Sequence, residues 1–124
     1  MSIGPIFSRL EAHPKGWGDE LWITNNEKYC GKILRFNKGS SFSMHYHILK
    51  EETWCVTKGK LSLEYFDLEK AERIVRVIEE GDVVHLEPCV PHKLTALEDS
   101  SVFEVSTQHF NEDSYRVEKG SSQK

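Results

Sequence analysis

The sequence has no apolar run approaching the roughly 20 residues that a membrane-spanning helix needs. It has no basic excess either: 16 Lys and Arg stand against 20 Asp and Glu, for a net charge of −4. That balance argues against nucleic acid as the partner, because a phosphate backbone demands basic patches. Cysteine is scarce and odd in number, with Cys30, Cys55 and Cys89 and no CxxC pair. This argues against a disulfide framework and for reduced thiols. Met1 to Pro5 lack the basic segment and long apolar stretch of a signal peptide. The expectation is a soluble cytoplasmic protein with no membrane or nucleic-acid partner. Helical periodicity is nearly absent as well, and 124 residues fit one domain.

What the chain does contain is a series of short β-prone runs separated by turns. Leu21–Thr24, Cys30–Phe36, Ser43–His47, Thr53–Thr57, Leu61–Phe66, Arg73–Ile78, Val83–Leu86, His92–Leu97 and Val102–Ser106 read as strands. Lys58-Gly59-Lys60 reads as a hairpin turn, and Glu80-Gly81-Asp82 as another turn. Asp67 to Arg73 carries helix-forming residues, yet it fits better as a charged hairpin tip leading into a strand. Together these features predict an all-β sandwich or barrel.

Four residues stand out chemically. His45 and His47 are two apart, so on a strand both imidazoles share a face. Glu52 follows five residues after His47, and His92 comes forty residues after Glu52. Imidazoles with one carboxylate are a usual donor set for a divalent transition metal. Glu51 is the competing carboxylate, but alternation with Trp54 and Val56 turns Glu52 inward and Glu51 outward. Mixed nitrogen and oxygen donors suit Zn, Mn, Fe, Co and Ni alike.

The frame around these donors carries a resemblance. Gly39 precedes His45-Tyr46-His47, then Glu52, then Gly59; Gly81-Asp82 leads on to His92. This resembles the two signature motifs of the cupin superfamily. The second motif departs at Glu87, Cys89 and Ala96, where proline, glycine and asparagine are usual. Trp17-Gly18-Asp19-Glu20, Lys28-Tyr29, Gly31–Leu34, Phe103–Thr107 and Arg116–Glu118 look like the mannose-6-phosphate isomerase-like cupins. The resemblance implies a double-stranded β-helix, or jelly-roll, barrel over residues 17–118. Residues 1–16 would then be an N-terminal arm, exchanged as a strand in a homodimer, with Ile6, Phe7 and Leu10 buried there. Residues 119–124 are polar and read as a disordered tail.

Three functions compete on this reading. One is a sugar-phosphate isomerase, with His45, His47, Glu52 and His92 holding the ion and a phosphosugar as substrate. Glu104 and His85 are the candidate bases, and Lys32, Arg35 and Trp54 the candidate substrate contacts. Lys32 and Arg35 lie on opposite faces of their strand, so one of them at most meets an anion at the site. The second is an Fe(II)-dependent dioxygenase on the same four donors. The third is a non-catalytic cupin that binds a sugar or small acid. Cys89, three residues before His92, is a small turn residue, a fifth donor or a redox-sensitive thiol, according to its exposure.

Overall fold

Alternation of apolar and polar side chains produces strands wherever one face of a segment meets a core. In the computed structural model, which describes residues 3–123, the chain forms eleven strands and one short 3₁₀ turn. A six-stranded sheet contains, in spatial order, β1 (Glu11–Lys15), β2 (Gly18–Asn25), β3 (Cys30–Phe36), β10 (Ser100–Ser106), β5 (Glu52–Lys58) and β8 (Val83–Leu86). A five-stranded sheet contains β11 (Tyr115–Glu118), β4 (Met44–Tyr46), β9 (His92–Ala96), β6 (Lys60–Asp67) and β7 (Glu72–Glu79). All pairings are antiparallel. The two inner faces enclose a core that includes Leu34, Phe36, Phe42, Val56, Leu61, Leu63, Ile78, Leu94 and Val102. Among the described residues, no helix is long and apolar enough to cross a membrane.

The all-β jelly-roll expectation holds, with one correction at a turn. Lys58-Gly59-Lys60 does not close a hairpin, because β5 and β6 belong to different sheets. Gly59 is instead a corner at which the chain leaves one sheet for the other. It takes φ +87, and a Cβ there would collide with Ser100 Oγ and lie 2.6 Å from the Asp99 carbonyl oxygen. Glycine answers both demands. The tight hairpin lies further on, where β6 and β7 pair from Lys60↔Glu79 to Asp67↔Glu72 around the charged tip at residues 68–71.

Both ends of the chain differ from expectation. Residues 11–15 are not part of a free arm. They form β1, which pairs within the chain from Glu11↔Trp22 to Lys15↔Gly18. Glu-Ala-His-Pro-Lys shows no apolar alternation, and its proline is tolerated because the strand lies at an edge. Residues 3–10 lie outside any strand, with Ile3, Ile6 and Phe7 almost fully exposed. The expected disordered tail docks instead. Ser121 N–H donates to the Ser41 carbonyl at 2.7 Å, and Gly16 N–H donates to Ser122 Oγ at 2.9 Å. Gly120 packs so closely on the Phe42 and Ser43 backbone that a Cβ would collide with it. Met1, Ser2 and Lys124 lie outside the described residues.

Candidate metal centre

Register assembles the donors. β4 and β9 place His45 directly opposite His92. His47 follows just past the end of β4, and Glu52 opens β5 in the facing sheet. The ring nitrogens of His45, His47 and His92 lie within 4.8 Å of one another. Glu52 Oε2 lies 3.4 Å from His47 Nε2 and 3.9 Å from His92 Nε2. All four expected donors therefore converge, and His47, Glu52 and His92 are buried. Glu51 is exposed and turned away, as alternation required.

The histidines are oriented by the backbone. Nδ1 lies 2.6 Å from the Ser43 carbonyl oxygen in His45, 2.6 Å from that of Asp113 in His47, and 2.9 Å from that of Val90 in His92. A carbonyl only accepts, so each Nδ1 must carry its proton and donate. Each Nε2 lone pair is then free for an ion. Burial lowers the pKa of His92 to about 3, against the help of the Val90 carbonyl. Burial, then the neighbouring His92 and His47, hold His45 well below its ordinary value. Neutral imidazole is the metal-binding form. Glu52 is aimed in turn by Trp54, whose Nε1–H donates to Oε1 at 2.7 Å and leaves Oε2 toward the histidines. This donor set fits a divalent transition metal, and its nitrogen and oxygen chemistry does not choose among Zn, Mn, Fe, Co and Ni.

The five-residue step from His47 to Glu52 is held by Asp113. This buried carboxylate accepts the backbone N–H groups of Ile48 at 2.9 Å, Leu49 at 3.2 Å and Lys50 at 3.1 Å. The bend carries Lys50 inward. Its Nζ lies 2.7 Å from Glu104 Oε2 and 3.3 Å from His109 Nδ1. Burial opposes the Lys50 charge, but Glu104 and Glu52 beside it outweigh burial and raise its pKa. Across the inner face of the larger sheet, Trp22, Lys32, Glu104 and Trp54 form one transverse row in register. Lys32 is buried, lies 3.3 Å from Glu20 Oε1 and sits over the Trp22 ring at 4.3 Å. Burial and the Lys50 charge lower its pKa, against Glu20 and Glu104. Burial, with Lys32 and Lys50, brings His109 down to about 4.

Apart from Asp113, these side chains line one cavity of about 230 Å³. It contains His45, His47, Glu52 and His92, and of the other expected site residues it takes Glu104, Lys32 and Trp54. It does not take His85 or Arg35. His85 points outward from β8, half exposed, with Nε2 2.9 Å from Glu51 Oε2, and it lines a separate groove beside the β6–β7 hairpin. Strand alternation explains this, since Val84 and Leu86 turn inward and His85 between them cannot. Arg35 faces outward by the same rule and pairs with Asp19, its Nε 2.7 Å from Oδ1. Neither belongs to the centre. Cys89 is exposed at φ +72, in the loop before β9, and its backbone N–H donates to the His47 carbonyl at 2.6 Å. Lys50, His109 and Asp113 complete the site without having been singled out in the sequence. Lys50 offered one signal, its position inside a short bend between two donors.

Comparison with known proteins agrees with this fold. The chain resembles CapF, the capsular polysaccharide assembling protein of Staphylococcus aureus, at 17% identity and a TM-score of 0.78, over 90% of this chain and 32% of that one. It also resembles a single-residue variant of Bacillus subtilis oxalate decarboxylase at 16% identity and a TM-score of 0.78, over 93% of this chain and 34% of that one. The latter enzyme has Mn(II) centres. The chain thus spans about a third of the length of either protein, and at these identities the likeness is one of fold. No curated protein matches the sequence closely. The sequence profile of the cupin domain matches residues 32–107, more than half of the chain, which therefore belongs to the cupin domain family.

Proposed function

We propose that this cupin is a metal-dependent enzyme of the sugar-phosphate isomerase kind, moving a proton between adjacent carbons of a small phosphorylated sugar. The observation that carries the reading is the Lys50–Glu104 pair, buried in the same polar cavity as the three histidines and Glu52. His45, His47, Glu52 and His92 would hold a divalent ion, which when bound polarises the sugar carbonyl and stabilises negative charge on its oxygens. Glu104 takes the proton from one carbon and returns it to the next. Lys50 holds that carboxylate in place at 2.7 Å. Trp54 lines the cavity beside the histidines, and Lys32 offers N–H donors to the sugar oxygens. The likeness to a capsular polysaccharide assembling protein is in keeping with sugar chemistry, although it is a likeness of fold. The same reading takes the protein as cytoplasmic and as a homodimer in which the exposed Ile3, Ile6, Phe7 and Leu10 find cover.

The test is turnover of hexose phosphates by protein loaded in turn with Zn, Mn, Fe, Co and Ni. Conversion is expected with at least one ion. Glu104→Gln should lower kcat by about 10²–10⁴-fold with metal content unchanged. No conversion with any ion would overturn the isomerase. Oxygen uptake by the Fe(II)-loaded protein with an organic substrate would replace it with a dioxygenase.

A further inference from the structure

The two sheets differ in what they turn outward. On the central strands of the five-stranded sheet the outward residues are Lys93 and Thr95 on β9 and Ser62 and Glu64 on β6, with Lys93 opposite Glu64 and Thr95 opposite Ser62. That is the polar exterior of an antiparallel sheet with one face in water. On the six-stranded sheet one transverse row runs Ala12, Leu21, Ile33, Phe103, Cys55, Val83, each directly opposite the next. It crosses all six strands without a polar residue. Its members alternate with the inward Lys32 and Leu34 on β3, Val102 and Glu104 on β10, and Trp54 and Val56 on β5, so the row faces away from the core. Ile23 on β2 and Val105 on β10 widen the band, and both are exposed, as is Val83.

A contiguous apolar band with a polar rim marks an interface, because water against it is unfavourable. The rim here is Asp19, Arg35, Ser101 and Lys58 along one side and Thr53, His85 and Glu51 along the other. Strands about 4.8 Å apart that rise about 3.3 Å per residue give a face six strands wide and six residues long roughly 600 Å². A standard interface takes about 800 Å² from each partner, so the face supplies most of one partner's share. Residues 3–10, with Ile6 and Phe7 almost fully exposed, leave from β1 at the edge of this same sheet.

A second copy fits the face by symmetry. A two-fold axis along the row stacks the sheets face to face and lays the row on itself, apolar against apolar. The same axis reverses the strands. The exposed Lys58 at the end of β5 then comes over the partner's Glu51, which precedes that strand and is exposed as well. Resting on the homodimer reading above, we propose that two copies of this chain pair through the outer face of the six-stranded sheet, with Ile33, Phe103 and Cys55 at its centre.

Sedimentation velocity of the full chain across a wide range of concentration tests this. The wild type should run as a dimer, at twice the 14.3 kDa of one chain. Val83→Lys with Val105→Lys should weaken pairing at least about 100-fold, because it places charges in the apolar band. Both side chains are exposed, at 65% and 46%, so fold and metal content should stay as in the wild type. Val75→Lys with Val77→Lys, comparably exposed on the outer face of the other sheet, should leave the dimer intact. Lys58→Glu should weaken pairing about tenfold, since the contact with the partner's Glu51 occurs twice, and adding Glu51→Lys should restore it. This exchange keeps the test open if the first variant fails to fold. A dimer that survives the Val83–Val105 and Lys58 changes, or that is lost equally when Val75 and Val77 are changed, would overturn this face and leave the homodimer standing on another surface. A wild-type chain that stays monomeric throughout would overturn the homodimer and this proposal with it.

Discussion

Each histidine of the centre has one nitrogen committed to a backbone carbonyl and one left for chemistry. Two further side chains do comparable work, Trp54 on Glu52 and Asp113 on the bend between His47 and Glu52. Asp113→Ala strips the acceptor from three backbone N–H groups. It should cost about 2–4 kcal/mol of stability and weaken metal binding roughly 10–100-fold, read by denaturant unfolding and by metal titration. A variant with wild-type stability and affinity would show that the bend holds itself. The Lys50–Glu104 pair makes a second case. Lys50→Met alone leaves a carboxylate buried without its partner and should cost about 3–5 kcal/mol, whereas Lys50→Met with Glu104→Leu should recover most of that loss. Equal destabilisation of the single and double variants would contradict a tight pair. The donors themselves were legible in the sequence, since the HxH spacing on a strand and the alternation through Trp54 and Val56 are local rules. Asp113 and His109 were not, because they reach the site from a loop more than 60 residues beyond His47, and no local rule aims a loop.

At the scale of elements, strand parity decides membership of the site. It brings Lys32 in and turns Arg35 out on β3, and it turns His85 out on β8. Parity was readable for β3 only in that two candidates three apart lie on opposite faces, and the structure shows Lys32 to be the inward one. For His85 it was equally readable, since Val84 and Leu86 are the apolar partners, but a histidine near a metal motif invites a catalytic role. Sheet assignment was harder to read. A glycine between two β-prone runs signals a turn, yet a hairpin and a sheet-switching corner share that signature, and only long-range pairing separates them. β1 and β11 escaped notice because edge strands with exposed faces need no apolar alternation. The corner carries its own test. Gly59→Ala forces a side chain into left-handed backbone and against the Asp99 carbonyl, so it should cost roughly 2 kcal/mol. Thermal unfolding measures it, and a shift indistinguishable from zero would mean the corner relaxes freely.

For the whole molecule, the barrel's interior is a device for keeping ionisable groups dry and in fixed protonation states. His92 titrates at about 3 and His109 at about 4 in the folded protein, while the unfolded chain takes up those protons near the ordinary 6.5. Folded pKa values below unfolded ones mean stability that is fully present above pH 6.5 and lost as pH falls toward 4 and 3. The metal-free protein should therefore melt at progressively lower temperature as pH falls from about 7 to about 5, a window above the ordinary carboxylate range. A flat profile there would contradict neutral buried histidines. The all-β character followed from strand spacing and turn residues, and the jelly-roll class from the resemblance to cupins, whereas the docking of residues 120–123 beside the cavity mouth did not, because polar tails carry no periodic signal.

The central claim is that His45, His47, Glu52 and His92 hold a divalent transition metal. Elemental analysis of the purified chain, alongside a His47→Ala variant shown by circular dichroism to be folded, addresses it directly. The expected result is close to one divalent transition-metal ion per wild-type chain and most of it gone from the variant. A wild-type chain that takes up no ion when supplied, or a variant with unchanged metal content, would contradict the claim.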